Sequence, residues 1–241
     1  AICGVPGGAV SSRGGRSALT CSMVSVLRFT SWAPGLARAE DWREWAAGGR
    51  EIEKSKAGPS LEFADPLFRR RLSQISQMTI QVLRGLMPFA EETKIVFVSF
   101  RGEIARQFAI NRMLVEEGDL SPAAFSLSVF NTPPALAAVA LNLRSGYSAL
   151  YPAKDSFRTG FLAAAAPVLS GAVRESALVY ADELCPSGYG PLCPEDARPF
   201  AFAALLGAPG GGGTLQVPLG DEGGGPLASP EKFLAFLWSA T

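Results

Sequence analysis

The chain has 241 residues, of which 48% are apolar, and its 22 Lys+Arg balance its 22 Asp+Glu. This composition suits one globular domain or two small ones, and a net charge of zero gives no attraction for nucleic acid or an anionic membrane surface. The sequence contains no histidine, which excludes histidine-activated nucleophiles, histidine acid–base catalysis and histidine-containing zinc sites. We therefore expect neither nucleic acid nor a membrane as a partner.

Residues 1–22 are rich in Gly, Ser and Arg and have no apolar periodicity, which predicts a disordered extension. Met23 opens the first strand pattern and is a candidate natural start. One folded domain is expected over residues 23–241. A short helix with Trp42 and Trp45 on one face follows the first strand.

The clearest helix pattern runs from residue 68 to residue 87, with apolar residues at helical spacing and Pro88 as its end. The triplet Arg69–Arg71 stands at the start of this pattern. Two interpretations of the triplet stay open: a solvated helix start, or a docking patch for an acidic partner.

Strand patterns then alternate with helix patterns, at 94–100, 147–153 and 176–183. This order predicts an α/β fold, layered α-β-α, with a mixed, largely parallel sheet. Two later strands, in 197–208 and 214–220, are predicted to form an edge hairpin through Gly210–Gly213. Because no Lys, Ser/Thr and helix start follow these glycines in phosphate-loop order, we expect no nucleotide and no other cofactor.

The cysteines form neither a CxxC pair nor a metal-ligand cluster, and stand at Cys3, Cys21, Cys185 and Cys193. A disulfide between Cys185 and Cys193 is geometrically conceivable across a Pro- and Gly-containing loop, but without a secretory context we expect two reduced thiols. The longest strongly apolar stretch, 161–169, is shorter than the ~20 residues that span a bilayer. A soluble, cytoplasmic protein without metal or membrane insertion is the expectation.

Asp182 and Glu183 are the one carboxylate pair that we consider as a candidate catalytic site. They lie at the end of a predicted strand, where α/β proteins place ligands. With Arg101 in a neighbouring loop they are candidates for acid–base work, but we favour a solvated strand end. Asn131 is expected to cap the helix that follows it through its side-chain carbonyl rather than to act in catalysis.

Five segments, read together, resemble the N-terminal half of a β-ketoacyl synthase: LFRRRLSQISQMTIQVL, VSFRGE, SPAAFSLSVFNTPPALAAVAL, SALYPAKDSFRTGFLAAA and SALVYADE. The resemblance covers residues 23–206. It is most specific to the short ketosynthase-like proteins of bacterial fatty-acid-like and aryl polyene polyketide systems. The implied fold is one half of the thiolase-like arrangement.

The resemblance also implies which catalytic groups are missing. In the family a cysteine on the elbow before the long helix is the nucleophile, and Lys154 lies at or within one residue of that position. An amide nitrogen is a poor leaving group, so a lysine cannot exchange thioesters. Phe130 stands where related short proteins tend to have a histidine, and no histidine is available to stabilise an enolate. No catalytic residue is therefore assigned.

The implied role is a catalytically silent subunit that binds a second copy of itself, a ketosynthase or an acyl carrier protein. Interface candidates come from the helix and strand that lie at the family's dimer interface: Leu136, Val139, Leu143, Tyr147, Ala149 and Tyr151.

Two alternative functions stay open. One is a noncondensing acyl-transfer enzyme that uses Lys154, Asp155 or Ser156. The other is an acyl-chain binding module with an apolar pocket between Ala-rich helices.

Overall fold

The computed structural model describes residues 23–152, 156–209, 215–219 and 225–241. The predicted extension 1–22 and the candidate Lys154 lie outside the described residues. Among the described helices, none is both long enough and apolar enough to cross a lipid bilayer.

Six strands in the described ranges form one mixed sheet: β1 (Met23–Trp32), β2 (Lys94–Val98), β3 (Tyr147–Leu150), β4 (Glu175–Asp182), β5 (Phe200–Gly207) and β6 (Leu215–Pro218). Their spatial order is β3-β2-β4-β5-β1-β6. Strands β3, β2 and β4 run parallel, whereas β5, β1 and β6 continue the sheet by antiparallel pairing. The predicted mixed sheet is confirmed, and its parallel part lies at one side.

The predicted hairpin between the last two strands is wrong, because β1 lies between β5 and β6. The amino-terminal half of β1 pairs with β6, in a register that sets Val24 opposite Val217. The other edge of β1 pairs with β5 over most of its length. Hydrophobic pattern shows that a segment is a strand but does not identify its neighbour. The predicted turn at Gly210–Gly213 lies outside the described residues.

Eight α-helices of the described residues accompany the sheet: α1 (Ala39–Ala46), α2 (Pro66–Arg69), α3 (Gln74–Leu86), α4 (Ile104–Glu117), α5 (Pro122–Ser126), α6 (Thr132–Leu141), α7 (Phe157–Leu169) and α8 (Pro230–Ser239). Helices α1, α7 and α8 bury one face of the sheet in an aromatic-rich core. Helices α3 and α6 bury the other face in a largely aliphatic core. The predicted α-β-α layering is confirmed.

The long helix begins at Gln74, six residues later than predicted. The Ser73 hydroxyl accepts a hydrogen bond from the Ser76 amide at 3.2 Å and so caps α3. Arg69 belongs to the short helix α2, which Asp65 caps, and Arg70 and Arg71 lie in the turn between the helices. Apolar residues continue at helical spacing through this turn. A prediction based on periodicity therefore misses the interruption between α2 and α3.

A disulfide joins Cys185 to Cys193, with Cα atoms 5.9 Å apart, so the prediction of two reduced thiols is wrong. Both cysteines lie in the loop from β4 to β5, on either side of a turn of 3₁₀ helix at Ser187–Leu192. This turn reverses the chain and brings the two Cα atoms within the range that a disulfide spans.

Candidate functional site

The carboxyl ends of β2 and β4 meet the amino-terminal ends of α3, α4 and α7, which is where an open α/β sheet places its ligands. Helix α7 follows residues 153–155, which lie outside the described ranges. Its first residue, Phe157, is fully buried, and the ring lies 6.1 Å from Tyr180, 6.0 Å from Phe202 and 5.5 Å from Phe233. Packed aromatic rings therefore fill the space below the start of α7.

Helix α7 lies directly on the sheet at Gly160. A Cβ atom at this position would be 2.7 Å from Cγ2 of Val98 in β2. The small residue thus lets the backbone of α7 approach the centre of the sheet, and it leaves no room for a substrate between helix and strand at this position.

Asp182 is a structural carboxylate at the end of β4. One of its oxygens accepts hydrogen bonds from Ser99 Oγ at 2.6 Å and from the amides of Phe100 and Arg101 at 3.2 and 3.1 Å. The other accepts from the Tyr180 hydroxyl at 2.7 Å and lies 3.3 Å from Arg101 Nη2. The residue is fully buried, so the solvated strand end that the sequence favoured is wrong. Because its oxygens are saturated, Asp182 fixes the turn after β2.

Glu183 points to the opposite side of the sheet from Asp182, as strand alternation requires. Its carboxylate accepts hydrogen bonds from the Ala105 amide in the first turn of α4 at 2.9 Å and from the Ile75 amide in α3 at 3.5 Å. Burial, together with the nearby carboxylate of Glu103, raises the pKa of Glu183 to about 8. Asp182 and Glu183 do not form a pair.

Glu103 is the true neighbour of Glu183, and it was not among the sequence candidates. Its side chain is fully buried and accepts hydrogen bonds from Ser73 Oγ at 2.7 Å and Ser76 Oγ at 2.8 Å, with Arg106 Nε 3.0 Å away. Burial raises the pKa of Glu103 as well. The sequence signal that could have identified Glu103 is its position directly after the turn at Gly102, at the end of a predicted strand. Together the two carboxylates hold the amino-terminal ends of α3 and α4.

Asn131 does not cap α6 with its side chain, contrary to prediction. Its Nδ2 atom instead donates to the Tyr147 hydroxyl at 3.3 Å and ties the loop before α6 to β3. Phe130 packs edge-on against Tyr151, with 5.9 Å between ring centroids. Its ring also faces Gly102, where a Cβ would lie 2.7 Å from the ring edge.

The interface candidates lie together on α6 and β3. No other described strand pairs with the outer edge of β3. Val139 is 71% exposed and Tyr151 is 65% exposed. The remaining four pack against the aliphatic core while keeping part of their surface accessible: Leu136, Leu143, Tyr147 and Ala149.

Further apolar side chains are exposed on α4, on α5 and in the turn between α5 and α6. Val115 is 85% exposed, and Leu114, Phe125 and Val129 are exposed as well. Ile110 is the one residue of α4 that is buried. Exposed apolar residues concentrated on neighbouring elements are typical of a surface that binds another protein.

Two members of the triplet, Arg69 and Arg70, border a separate cavity of about 390 Å³, whose lining includes Pro59 and Gln77. Arg70 and Arg71 are exposed. Within the part of the chain that the structure describes, no acidic side chain forms an ion pair with the triplet.

Residues 42–224 match the model of the beta-ketoacyl synthase N-terminal domain. The chain belongs to this family. A sequence search of curated proteins finds no match.

Solved ketosynthase structures share the fold of this β-ketoacyl synthase domain. A ketosynthase (ApeO) in complex with its chain length factor (ApeC) from Xenorhabdus doucetiae is similar at a TM-score of 0.73 and 22% identity, over 91% of this chain and 92% of that chain. The ishigamide ketosynthase/chain length factor is similar at 0.61 and 13%, over 78% and 62% of the two chains. A type II polyketide ketosynthase with its acyl carrier protein (AntDE:AntF) is similar at 0.57 and 10%, over 78% and 64%.

Proposed function

We propose that this β-ketoacyl synthase domain is a noncondensing partner subunit of a ketosynthase in fatty acid or polyketide synthesis of the aryl polyene type. The observation that carries the proposal is the family fold in a chain without histidine, with Lys154 at or beside the nucleophile position. Condensation needs a thiolate that exchanges thioesters and donors that stabilise an enolate oxygen. This sequence supplies neither group.

The packing around α7 supports a noncatalytic role. Phe157 and its aromatic neighbours occupy the space below the helix start, and Gly160 brings α7 onto β2. An acyl chain that entered there would have to displace well-packed rings, which is costly in a close-packed core. This packing argues against an acyl chain at the start of α7, whereas a cavity of about 760 Å³ lies at the other end of the helix, beside Ala163, Ala166 and Tyr147.

The exposed apolar residues on α6 and beside β3 support a protein partner. We infer that the partner is a ketosynthase, because one fold neighbour of nearly this length comes from a complex of a ketosynthase with its chain length factor. The free edge of β3 offers backbone groups for strand pairing, and Val139 and Tyr151 offer apolar area beside it.

Co-purification tests this pairing. The tagged chain is co-expressed with a ketosynthase of an aryl polyene system, and the mass of the complex is measured by native mass spectrometry. Val139→Glu should reduce the recovered complex at least about tenfold, because an interface core strips an unpaired carboxylate of its hydration. Leu67→Glu is the matched control, since Leu67 is similarly exposed at 67% but lies on α2. Equal recovery of both variants would contradict the proposed surface.

A second candidate is binding of an acyl carrier protein, favoured by the exposed arginines Arg70 and Arg71, of which Arg70 lines a cavity. Guanidinium groups without an acidic partner are suited to phosphate and carboxylate ligands. Arg70→Glu should weaken carrier-protein binding about tenfold in a titration, whereas Arg174→Glu, an exposed arginine before β4, should leave it unchanged. A parallel effect of both substitutions would indicate net charge rather than a docking site.

A further inference from the structure

The loop from β4 to β5 holds α4 at two separate places. At its start, Glu183 accepts the Ala105 amide at 2.9 Å and so fixes the first turn of α4. Six residues later, the Tyr189 ring packs on Phe108 of α4, with 5.1 Å between centroids, and Asn111 Nδ2 lies 3.5 Å from the Tyr189 hydroxyl. The second of these contacts lies inside the ring that the Cys185–Cys193 disulfide closes.

The fit between this loop and α4 is close. A Cβ atom at Gly188 would come within 2.4 Å of the Phe108 ring, so the loop backbone lies against the helix. Helix α4 has few other restraints, since Ile110 is its one buried residue. A helix with little buried apolar area is prone to local opening, and its stability depends on the contacts at its edge.

The disulfide is accessible from solvent. Both cysteines line a cavity of about 640 Å³ at the surface, together with Lys54, Ser187 and Glu195. Lys54 Nζ donates to the Glu195 carbonyl at 3.2 Å, which places an ammonium group at the rim of this cavity. A nearby cation favours thiolate over thiol and so assists thiol–disulfide exchange.

We propose that the Cys185–Cys193 disulfide is a redox-sensitive clamp that keeps Tyr189 on α4 and is opened by a dithiol reductant. In the opening step, a thiolate of the reductant attacks one sulfur, the sulfur–sulfur bond breaks, and a mixed disulfide forms. The second thiolate of the reductant then attacks its own sulfur in the mixed disulfide and expels the protein cysteine as a thiolate. The reductant becomes a disulfide and the protein gains two thiols, a transfer of two electrons and two protons. The released loop loses its closed ring, Tyr189 leaves Phe108, and α4 opens more often.

Hydrogen exchange measured by mass spectrometry tests the clamp on the full chain, whether or not a ketosynthase binds. Cys3 and Cys21 are replaced by Ser, and amide exchange is compared with and without dithiothreitol. Because ring closure restricts the open state, reduction should speed exchange in 104–117 and 184–194 by about tenfold or more and leave α3 unchanged. Reoxidation should restore the slow rates.

Two variants separate the clamp from a general loss of stability. Cys185→Ser with Cys193→Ser should reproduce the reduced pattern without reductant. Tyr189→Ala should speed exchange in α4 with the disulfide intact, and reduction should then add little in α4. Unchanged exchange in α4 after both thiols are freed would overturn the proposal, as would free thiols at both positions in protein purified under oxidising conditions.

Discussion

Glu183 and Glu103 place two buried carboxyl groups at the amino-terminal ends of α3 and α4, and their protonation is coupled to folding. The pKa of Glu183 rises from 4.5 to about 8 because the group is buried beside Glu103. Between these two pH values the folded state binds more protons than the unfolded chain. The free energy of unfolding therefore falls as the pH rises from about 5 to about 8, with each pKa unit worth about 1.4 kcal/mol.

Glu183→Gln should remove this dependence. The amide oxygen can still accept from Ala105, and no proton is lost as the pH rises. Urea denaturation should give similar unfolding free energies for variant and parent at pH 5, and a variant more stable by about 2 kcal/mol or more at pH 8. Glu91→Gln, at an exposed position, serves as the control. Parallel pH curves for Glu183→Gln and the parent would mean that Glu183 is ionised in the folded protein.

Gly102 combines a positive φ of 57° with a close neighbour, because a Cβ would lie 2.7 Å from the Phe130 ring. Gly171 has a φ of 74° with open space around it. Gly171→Ala should cost about 1 kcal/mol from backbone strain alone. Gly102→Ala should cost at least about 1 kcal/mol more, because the added methyl overpacks the turn. Equal shifts in urea midpoint for the two variants would show that the ring moves aside freely.

At the scale of elements, Ser73 connects the start of α3 to the buried carboxylate cluster. Its hydroxyl caps α3 and donates to Glu103 Oε1 at 2.7 Å. Ser229 caps α8 in the same way, by accepting from the Lys232 amide at 3.2 Å, and has no carboxylate partner in the described structure. Ser229→Ala should cost about 1 kcal/mol of unfolding free energy. Ser73→Ala should cost about 2–4 kcal/mol, because a buried charged acceptor also loses a donor.

The local hydrophobic pattern predicted most helices and strands, but it did not predict which strands pair with each other. The strands at β2 and β4 and the helices at α4, α6 and α7 follow from runs of apolar residues and from Pro or Gly at their ends. Strand β1 lies between β5 and β6 because it pairs with strands that are far from it in the sequence. A local sequence pattern does not contain this information. The break before α3 was missed because Ser73 caps a helix inside an unbroken apolar period.

The candidate site was only partly accessible to sequence reasoning for a related reason. Asp182 and Glu183 are adjacent in sequence, but strand alternation sends them to opposite faces of the sheet. The partner of Glu183 is Glu103, 80 positions away and reached through the turn after β2. We expected Cys185 and Cys193 to be reduced because the sequence shows no secretory context. The geometry of the loop, however, decides whether two cysteines can meet.

At the scale of the whole molecule, the chain combines a filled core at the start of α7 with exposed apolar residues on α4, on α5, on α6 and beside β3. The proposed noncondensing role is consistent with this combination. The chain spans 62% and 64% of two ketosynthase chains that share its fold.

Intact-protein mass spectrometry of a reconstituted pair tests the noncondensing role most directly. The chain and its co-expressed ketosynthase are mixed with an acyl carrier protein that carries the starter acyl group, and the acyl mass is located on each subunit and mapped by peptide digestion. We predict a complex in which only the ketosynthase is acylated, and no acylation of this chain alone. Acyl mass on residues 152–157 of this chain would contradict the account.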